Sequence, residues 1–191
     1  MMKVNTKRVF IVTFSVVFLV LIITSNTLFS NQKILMSNAD LTSKEYYSLS
    51  VECGLKLSFD DYIMICSVVQ GETAGADLYW SELVAEVIKN RLLSKDFPNT
   101  IYDILTQPNQ FDAIENYYNG IEINAITYQA VTNVFSNKDY LTSHRLKGAT
   151  YYCNPDILSP SIVEWFNSNL TMTYDAYYTS NGYTYHHVFY K

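Results

Sequence analysis

The chain has little of what metal, thiol or redox chemistry needs. Its 191 residues hold three cysteines, Cys53, Cys66 and Cys153, and an odd count is not a complete disulfide framework. Cys66 falls inside a helical pattern and reads as a small buried hydrophobe. Cys53 and Cys153 are open to pairing outside the cell, but sequence does not place them within bonding distance. No cysteine has a histidine near it in sequence, which disfavours a thiol nucleophile. The three histidines are His144, His186 and His187. Adjacent histidines on a strand point to opposite faces, and neither a His-Glu-x-x-His nor a Cys-x-x-Cys spacing occurs, so no metal site is expected. A nucleophile elbow, a P-loop and a dinucleotide fingerprint are also missing, and no cofactor is expected. Charged residues make up only 16% of the chain and the formal net charge is −5, which excludes a general nucleic-acid binder.

Aromatic rings and one long apolar run are plentiful. Tyrosines number 17 against two tryptophans, and such rings pack on one side while hydrogen-bonding on the other. That suits sugar binding and an ordinary core equally. Residues 1–8 carry Lys3, Lys7 and Arg8, a basic stretch expected to stay cytoplasmic. Val9 to Ile23 is a fifteen-residue run broken only by Thr13 and Ser15, and it borrows the following residues to reach 29. Residues 9–29 are read as an uncleaved signal-anchor, the alternative being a cleaved signal peptide. Everything after them is then extracytoplasmic. Residues 30–57 mix Ser, Asn, Thr and Lys without a sustained period and read as a linker. One folded domain, 58–191, remains.

That domain is organised around the stretch from Ser58 to Arg91. Ser58 with Asp61 three residues later is a capping-box pattern, so a helix starts there. Ile65 and Val69 share a face from Tyr62 onward, and the next position on that face is Glu72. A carboxyl pointing the same way as an apolar stripe is partly buried, and it also faces the negative end of its helix. Both effects raise its pKa, and an acid kept protonated near neutrality can protonate a leaving oxygen. The competing reading is a solvated corner, with Gly71 and Gly75 as ordinary helix stops. Leu83, Val84, Val87, Ile88 and Arg91 then repeat at helical spacing, with Glu82, Glu86 and Lys89 elsewhere around that helix. Arg91 is read as a cap on the negative helix end.

Phe97-Pro98-Asn99-Thr100 is a turn. Ile101, Ile104 and Leu105 suggest a short helix ending at Gln107-Pro108, and Gln110 lies on the loop that follows, with an amide suited to a polar ligand or to buried backbone. Asn124 is placed to cap a further, outer helix through Phe135. The tail changes character: Ala149 to Cys153 and Tyr183 to Tyr190 read as β-prone while Val163 to Phe166 carries a Trp, so a small antiparallel sheet beside the helices gives an α+β fold. Tyr151 and Tyr152 point to opposite faces of such a strand.

In this order the segments resemble the catalytic domain of the SleB/CwlJ family of cell-wall hydrolases. The matching pieces are Gly71-Glu72 with Gly75, Asn90-Arg91, Phe97 to Thr100, Gln107-Pro108 with Gln110-Phe111, Tyr151-Tyr152 with Asn154-Pro155, and His187-Val188-Phe189. The resemblance covers about Asp60 to Lys191. It implies a lysozyme-like, mainly helical α+β fold and cleavage of peptidoglycan between N-acetylmuramic acid and N-acetylglucosamine, in the manner of a lytic transglycosylase. It puts the catalytic acid/base on Glu72. Gln110, Phe111, Tyr151, Tyr152 and His187 become candidate substrate-binding residues, with packing as their competing role.

The sequence also departs from the family. Many members read Gly-Glu-(Ala/Ser)-Arg-Gly-Glu at the corner, whereas Ala74 and Ala76 stand in place of the Arg and the second Glu, with Asp77 as a displaced substitute. The family's usual N-terminal wall-binding domain is expected to be missing. The anchor is expected to replace it by holding the enzyme near its polymer. The partners expected are therefore peptidoglycan glycan strands, the membrane through the N-terminal segment, and no nucleic acid. Two other readings stay open: a catalytically silent wall-binding or scaffold protein of an envelope complex, which Ala74 and Ala76 favour, and an amidase acting on the stem peptide, which the absent metal-ligand spacing disfavours.

Overall fold

A computed structural model of the chain describes residues 57–74, 77–136, 145–180 and 182–191, all belonging to one compact unit, Glu45–Lys191. The apolar run at 9–29, the linker up to residue 56, Cys53, Gly75, Ala76 and His144 lie outside the described residues. No helix among the described residues is long and apolar enough to cross a membrane.

The first helix, α1, is Phe59–Thr73, and its capping box is fully formed. The Ser58 side chain accepts from Asp61 N at 3.1 Å, while Asp61 Oδ2 accepts from Ser58 N at 2.8 Å. Tyr62, Ile65, Cys66, Val68 and Val69 are entirely buried, so α1 is an interior helix. It does not stop at Gly71, which lies within it. It stops at Ala74, whose φ of 51° is left-handed. Gly71 meets a different demand: a Cβ there would come within 2.6 Å of Ala113 Cβ, so the helix lies directly against the 113–116 segment.

Helix α2, Leu78–Leu93, starts on Asp77, whose side chain accepts from Trp80 N at 2.7 Å. Asp77 is thus the N-cap of this helix. Expected polar positions of α2 are also inside. Glu86 and Lys89 are 1% and 4% exposed, with Glu86 Oε1 accepting from Leu146 N at 3.2 Å and Lys89 Nζ donating to Val134 O at 2.6 Å. Three helices surround this pair: α3 Ile101–Leu105, α4 Ile114–Tyr118 and α5 Ala125–Ser136. Thr100 caps α3 by accepting from Asp103 N, and Asn124 Oδ1 accepts from Thr127 N at 2.9 Å at the start of α5.

The sheet has three antiparallel strands in the order β1–β3–β2: β1 Tyr151–Cys153, β2 Met172–Ser180 and β3 Tyr183–Tyr190. Gly182, at φ 81°, lies in the turn between β2 and β3, where the sequence reads Asn181-Gly182, a strong hairpin signal. One sheet face carries Tyr152, Ala176 and Phe189 into the helical core. The other packs Cys153, Val188 and Tyr190 against Leu158, Phe166 and Leu170. Tyr151 and Tyr152 therefore serve opposite faces, as strand alternation requires. Val163 to Phe166, which carries Trp165, lies in helix α6, Pro160–Asn169. Ser159 in extended conformation followed by Pro160 at the first helical position nucleates that helix.

The Asp77 cap gives a stability test. Asp77→Ala should cost about 1 kcal/mol and Asp77→Asn only a few tenths, because Asn still accepts from the Trp80 amide. Urea unfolding of the two variants checks this.

Candidate active site

Glu72 lies in the last turn of α1, one residue before the helix ends, on the face continued from Val69. Its side chain is half-buried where α1 meets the sheet. Tyr152, on β1, donates its hydroxyl to Glu72 Oε2 at 2.7 Å, and the Ala113 backbone N–H supplies a second hydrogen bond. Burial pushes the Glu72 carboxyl above the ordinary carboxylate range. The two hydrogen bonds oppose that, the Asp112 charge adds to it, and the Arg91 charge opposes it. Burial leads, so the structure gives the direction expected from the sequence.

Tyr152 is held by its neighbours. Trp80 meets it edge-on at 5.9 Å and Phe189 stacks on it at 5.9 Å. Its hydroxyl is driven well above the usual phenol range, first by burial and then by the Glu72 charge, so it remains a donor through neutral pH. His187 lies against Trp80, with ring centroids 3.9 Å apart, and its Nδ1 is buried with no hydrogen-bond partner. Burial and the neighbouring His186 push its pKa down to about 4, so this imidazole is neutral at physiological pH. His186 points to the other face, hydrogen-bonding with Asp175 at 2.9 Å and Asp156 at 3.2 Å.

Arg91 is not a solvated helix cap. It is 3% exposed, its Nε donates to Thr150 O at 2.7 Å, and its guanidinium faces the rings of Phe111, Phe97 and Tyr151 at 4.8, 5.0 and 5.4 Å. Of the candidate binding residues, Tyr152 touches Glu72 directly, and Tyr151 and Phe111 enclose Arg91. His187 sits behind Trp80. Phe111 is 2% exposed and belongs to the core. Gln110 is exposed on its turn, its backbone N–H bonded to Gln107 O at 3.2 Å. Sequence reasoning missed Asp112 and Ala113 as neighbours of Glu72; their position directly after Gln110-Phe111 was the only local hint. A cavity of about 510 Å³ lined by Asn90, Asp96, Phe97, Tyr151 and Lys191, among others, shares two rings with the Arg91 cage and does not include Glu72. Among the described residues no group of three His, Cys, Asp or Glu is arranged to hold a metal ion.

A helix-rich domain that ends its central helix on a half-buried acid, held by a tyrosine from a small antiparallel sheet, has the form of an acid–base enzyme. The family model for cell wall hydrolases matches residues 81–190, more than half of the chain, and the protein belongs to that family. The match begins after Glu72. The spore cortex-lytic enzyme of Bacillus cereus is 30% identical over 99 residues, which are 52% of this chain and 36% of that protein. The enzyme of the same name from Oceanobacillus iheyensis is 31% identical over 99 residues, 52% and 34% of the two chains. The chain thus spans about a third of the length of these relatives.

Two solved structures share the fold. The catalytic domain of the germination-specific lytic transglycosylase SleB from Bacillus anthracis superposes with a TM-score of 0.55 at 24% identity, covering 71% of this chain and 98% of that one. The catalytic domain of the Bacillus cereus SleB protein gives 0.53 at 25% identity, covering 70% and 91%.

The raised Glu72 pKa has a signed consequence for stability. A carboxyl whose folded pKa lies above its unfolded value of about 4.5 contributes its relative stability below that pH and loses it as pH rises through the folded value. Glu72→Gln, which removes the charge and keeps an oxygen for Tyr152, should therefore melt above the wild type at pH 7. The gap should close as the pH falls below about 4.5. Calorimetry of both proteins across this range checks the sign.

Proposed function

We propose that this chain cleaves the glycan strands of peptidoglycan outside the cytoplasm, with Glu72 as its general acid and base. The observation that supports this most is the half-buried Glu72 carboxyl with its pKa raised by burial and its geometry set by the Tyr152 hydroxyl. Family membership and the spore cortex-lytic relatives supply the substrate class.

In the lytic-transglycosylase form of the reaction, the proton on Glu72 passes to the glycosidic oxygen as the bond from that oxygen to the anomeric carbon of muramic acid breaks. The C6 hydroxyl of the same sugar then bonds to the anomeric carbon, and its proton returns to Glu72. One carboxyl serves both transfers, and the product ends in 1,6-anhydromuramic acid. The Tyr152 hydroxyl orients the Glu72 carboxyl, and burial favours its protonated form. A specific observation supports a hydrolytic second form. Asp112 is exposed, and its charge acts on Glu72, so a second carboxylate lies within electrostatic reach of the acid, as a hydrolytic reaction requires.

The test is mass spectrometry of soluble fragments released from purified peptidoglycan by the full chain and by Glu72→Gln. Anhydromuramoyl ends from the wild type, with release reduced about 10²- to 10⁴-fold in the variant, are the expected result. Reducing muramic ends would shift the assignment to the hydrolytic form. Equal release by both proteins would remove Glu72 from the mechanism, and binding to sacculi without release by either would support a scaffold.

A further inference from the structure

Alternate residues of β3 face the helical core, and that row reads Phe189, His187, Tyr185 and Tyr183. Exposure rises along it with distance from the acid: Phe189 is fully buried, Tyr185 is 37% exposed and Tyr183 is 70% exposed. The buried end is tied to the candidate active site. Phe189 pairs with Tyr152 in the sheet register and stacks on it at 5.9 Å, and Tyr152 donates to Glu72. The open end is held as well. Tyr185 stacks at 4.9 Å on its cross-strand partner Tyr178, which stacks at 5.1 Å on Trp80, the ring that also supports Tyr152 and His187. The tyrosine on the acid and the open rings of the hairpin thus stand on one face of one sheet, joined by ring contacts. Neither Tyr183 nor Tyr185 belongs to the core. β1 pairs with β3 only from Val188 to Tyr190, so from His187 to Tyr183 no strand among the described residues flanks that edge. An exposed aromatic row beside an open strand edge marks a surface that something covers.

We infer that Tyr185 and Tyr183 form a distal glycan platform, on which further sugars of the same strand lie while Glu72 acts on a bond nearer the buried end of the row. This deepens the function proposed above and rests on it. The chemistry favours sugars. A tyrosine offers a flat apolar face with a hydroxyl at its edge, which matches the apolar C–H face and hydroxyl rim of a pyranose. The row is also uncharged at neutral pH, His187 being neutral there, as are Ala176 and Tyr178 opposite it on β2. Uncharged sugars fit that surface better than the charged stem peptides do. The carboxylates of the hairpin region, Asp175 and Asp156, are engaged with His186 on the other face. The reach is that of a polymer: Tyr185 lies about 13 Å and Tyr183 about 20 Å along the strand from Phe189, at the usual rise per residue. Binding energy gathered there is available to orient the sugar at the acid.

The test uses the full chain on peptide-free peptidoglycan strands in a long and a short size fraction, with Tyr185→Ala, Tyr185→Phe and Tyr177→Ala. Tyr177 is 63% exposed, stacks on His186 on the opposite face and serves as the control. The readout is the ratio of kcat/KM on long strands to that on short ones. Tyr185→Ala should lower this ratio about tenfold, Tyr185→Phe should hold it within about twofold, and Tyr177→Ala should not move it. A merely structural role would lower both rates and leave the ratio. An unchanged ratio in Tyr185→Ala overturns the inference, whether the rings then serve a partner protein, the stem peptides or the hairpin alone. If Tyr185→Ala does not fold, Tyr183→Ala is measured under the same criteria. The ratio does not depend on which residue is the acid. Should Glu72→Gln cleave like the wild type, the proposed acid falls while the platform stands or falls by the ratio. Should no protein release fragments, calorimetric affinity for the long strands decides: a drop of about tenfold in Tyr185→Ala supports the platform, and equal or absent binding overturns it.

Discussion

The hydrogen bond from the Tyr152 hydroxyl to Glu72 joins the end of the central helix to the sheet across 80 residues of chain. Much else in the domain is arranged so that this contact can exist. Helix α1 must continue one residue beyond the acid before Ala74 turns the chain away, or the carboxyl would leave the face it shares with Ile65 and Val69. Gly71 must be small so that the 113–116 segment can close over the last turn and bring the Ala113 N–H to the same carboxyl. The result is an acid that is half out of water yet has two donors, which fixes its orientation without forcing its ionisation.

The sheet side of the contact depends on Trp80. This residue is 1% exposed in the first turn of α2, and Tyr152, Tyr178, His187 and Phe189 all pack on it. Asp77 caps the helix on the Trp80 amide, so the cap at the start of α2 and the aromatic support of the site meet at one residue. Stability and function are coupled there. The same coupling appears with opposite sign at Glu72, where the raised pKa that suits a proton donor makes the ionised folded state less stable than an uncharged side chain would.

Much of this was legible in the sequence wherever the signal was local. The Ser58–Asp61 capping box, the Thr100 and Asn124 caps, the alternation at Tyr151-Tyr152 and the face carrying Glu72 depend only on residues a few positions apart, and the structure has each of them. The errors have physical causes of two kinds. Val163 to Phe166 was marked only by its Trp, and the helix that Ser159-Pro160 starts around it, α6, went unread. Asn181-Gly182 marked a hairpin whose first strand, β2, went unread. Glu86 and Lys89 were placed off the apolar stripe and Arg91 at a helix end, and tertiary packing buries all three, each bonded to a backbone carbonyl or N–H far along the chain. The partners of Glu72 itself, Tyr152, Asp112 and Ala113, are contacts of this long-range kind, which no local pattern specifies.

The measurement that bears most directly on the account is a crystal structure of Glu72→Gln with a peptidoglycan oligosaccharide bound. The account predicts a glycosidic oxygen within hydrogen-bond distance of the side chain at position 72, with the Tyr152 hydroxyl still on that side chain. A glycan seated elsewhere, for instance in the cavity lined by Asn90, Asp96 and Tyr151 and out of reach of position 72, would contradict it.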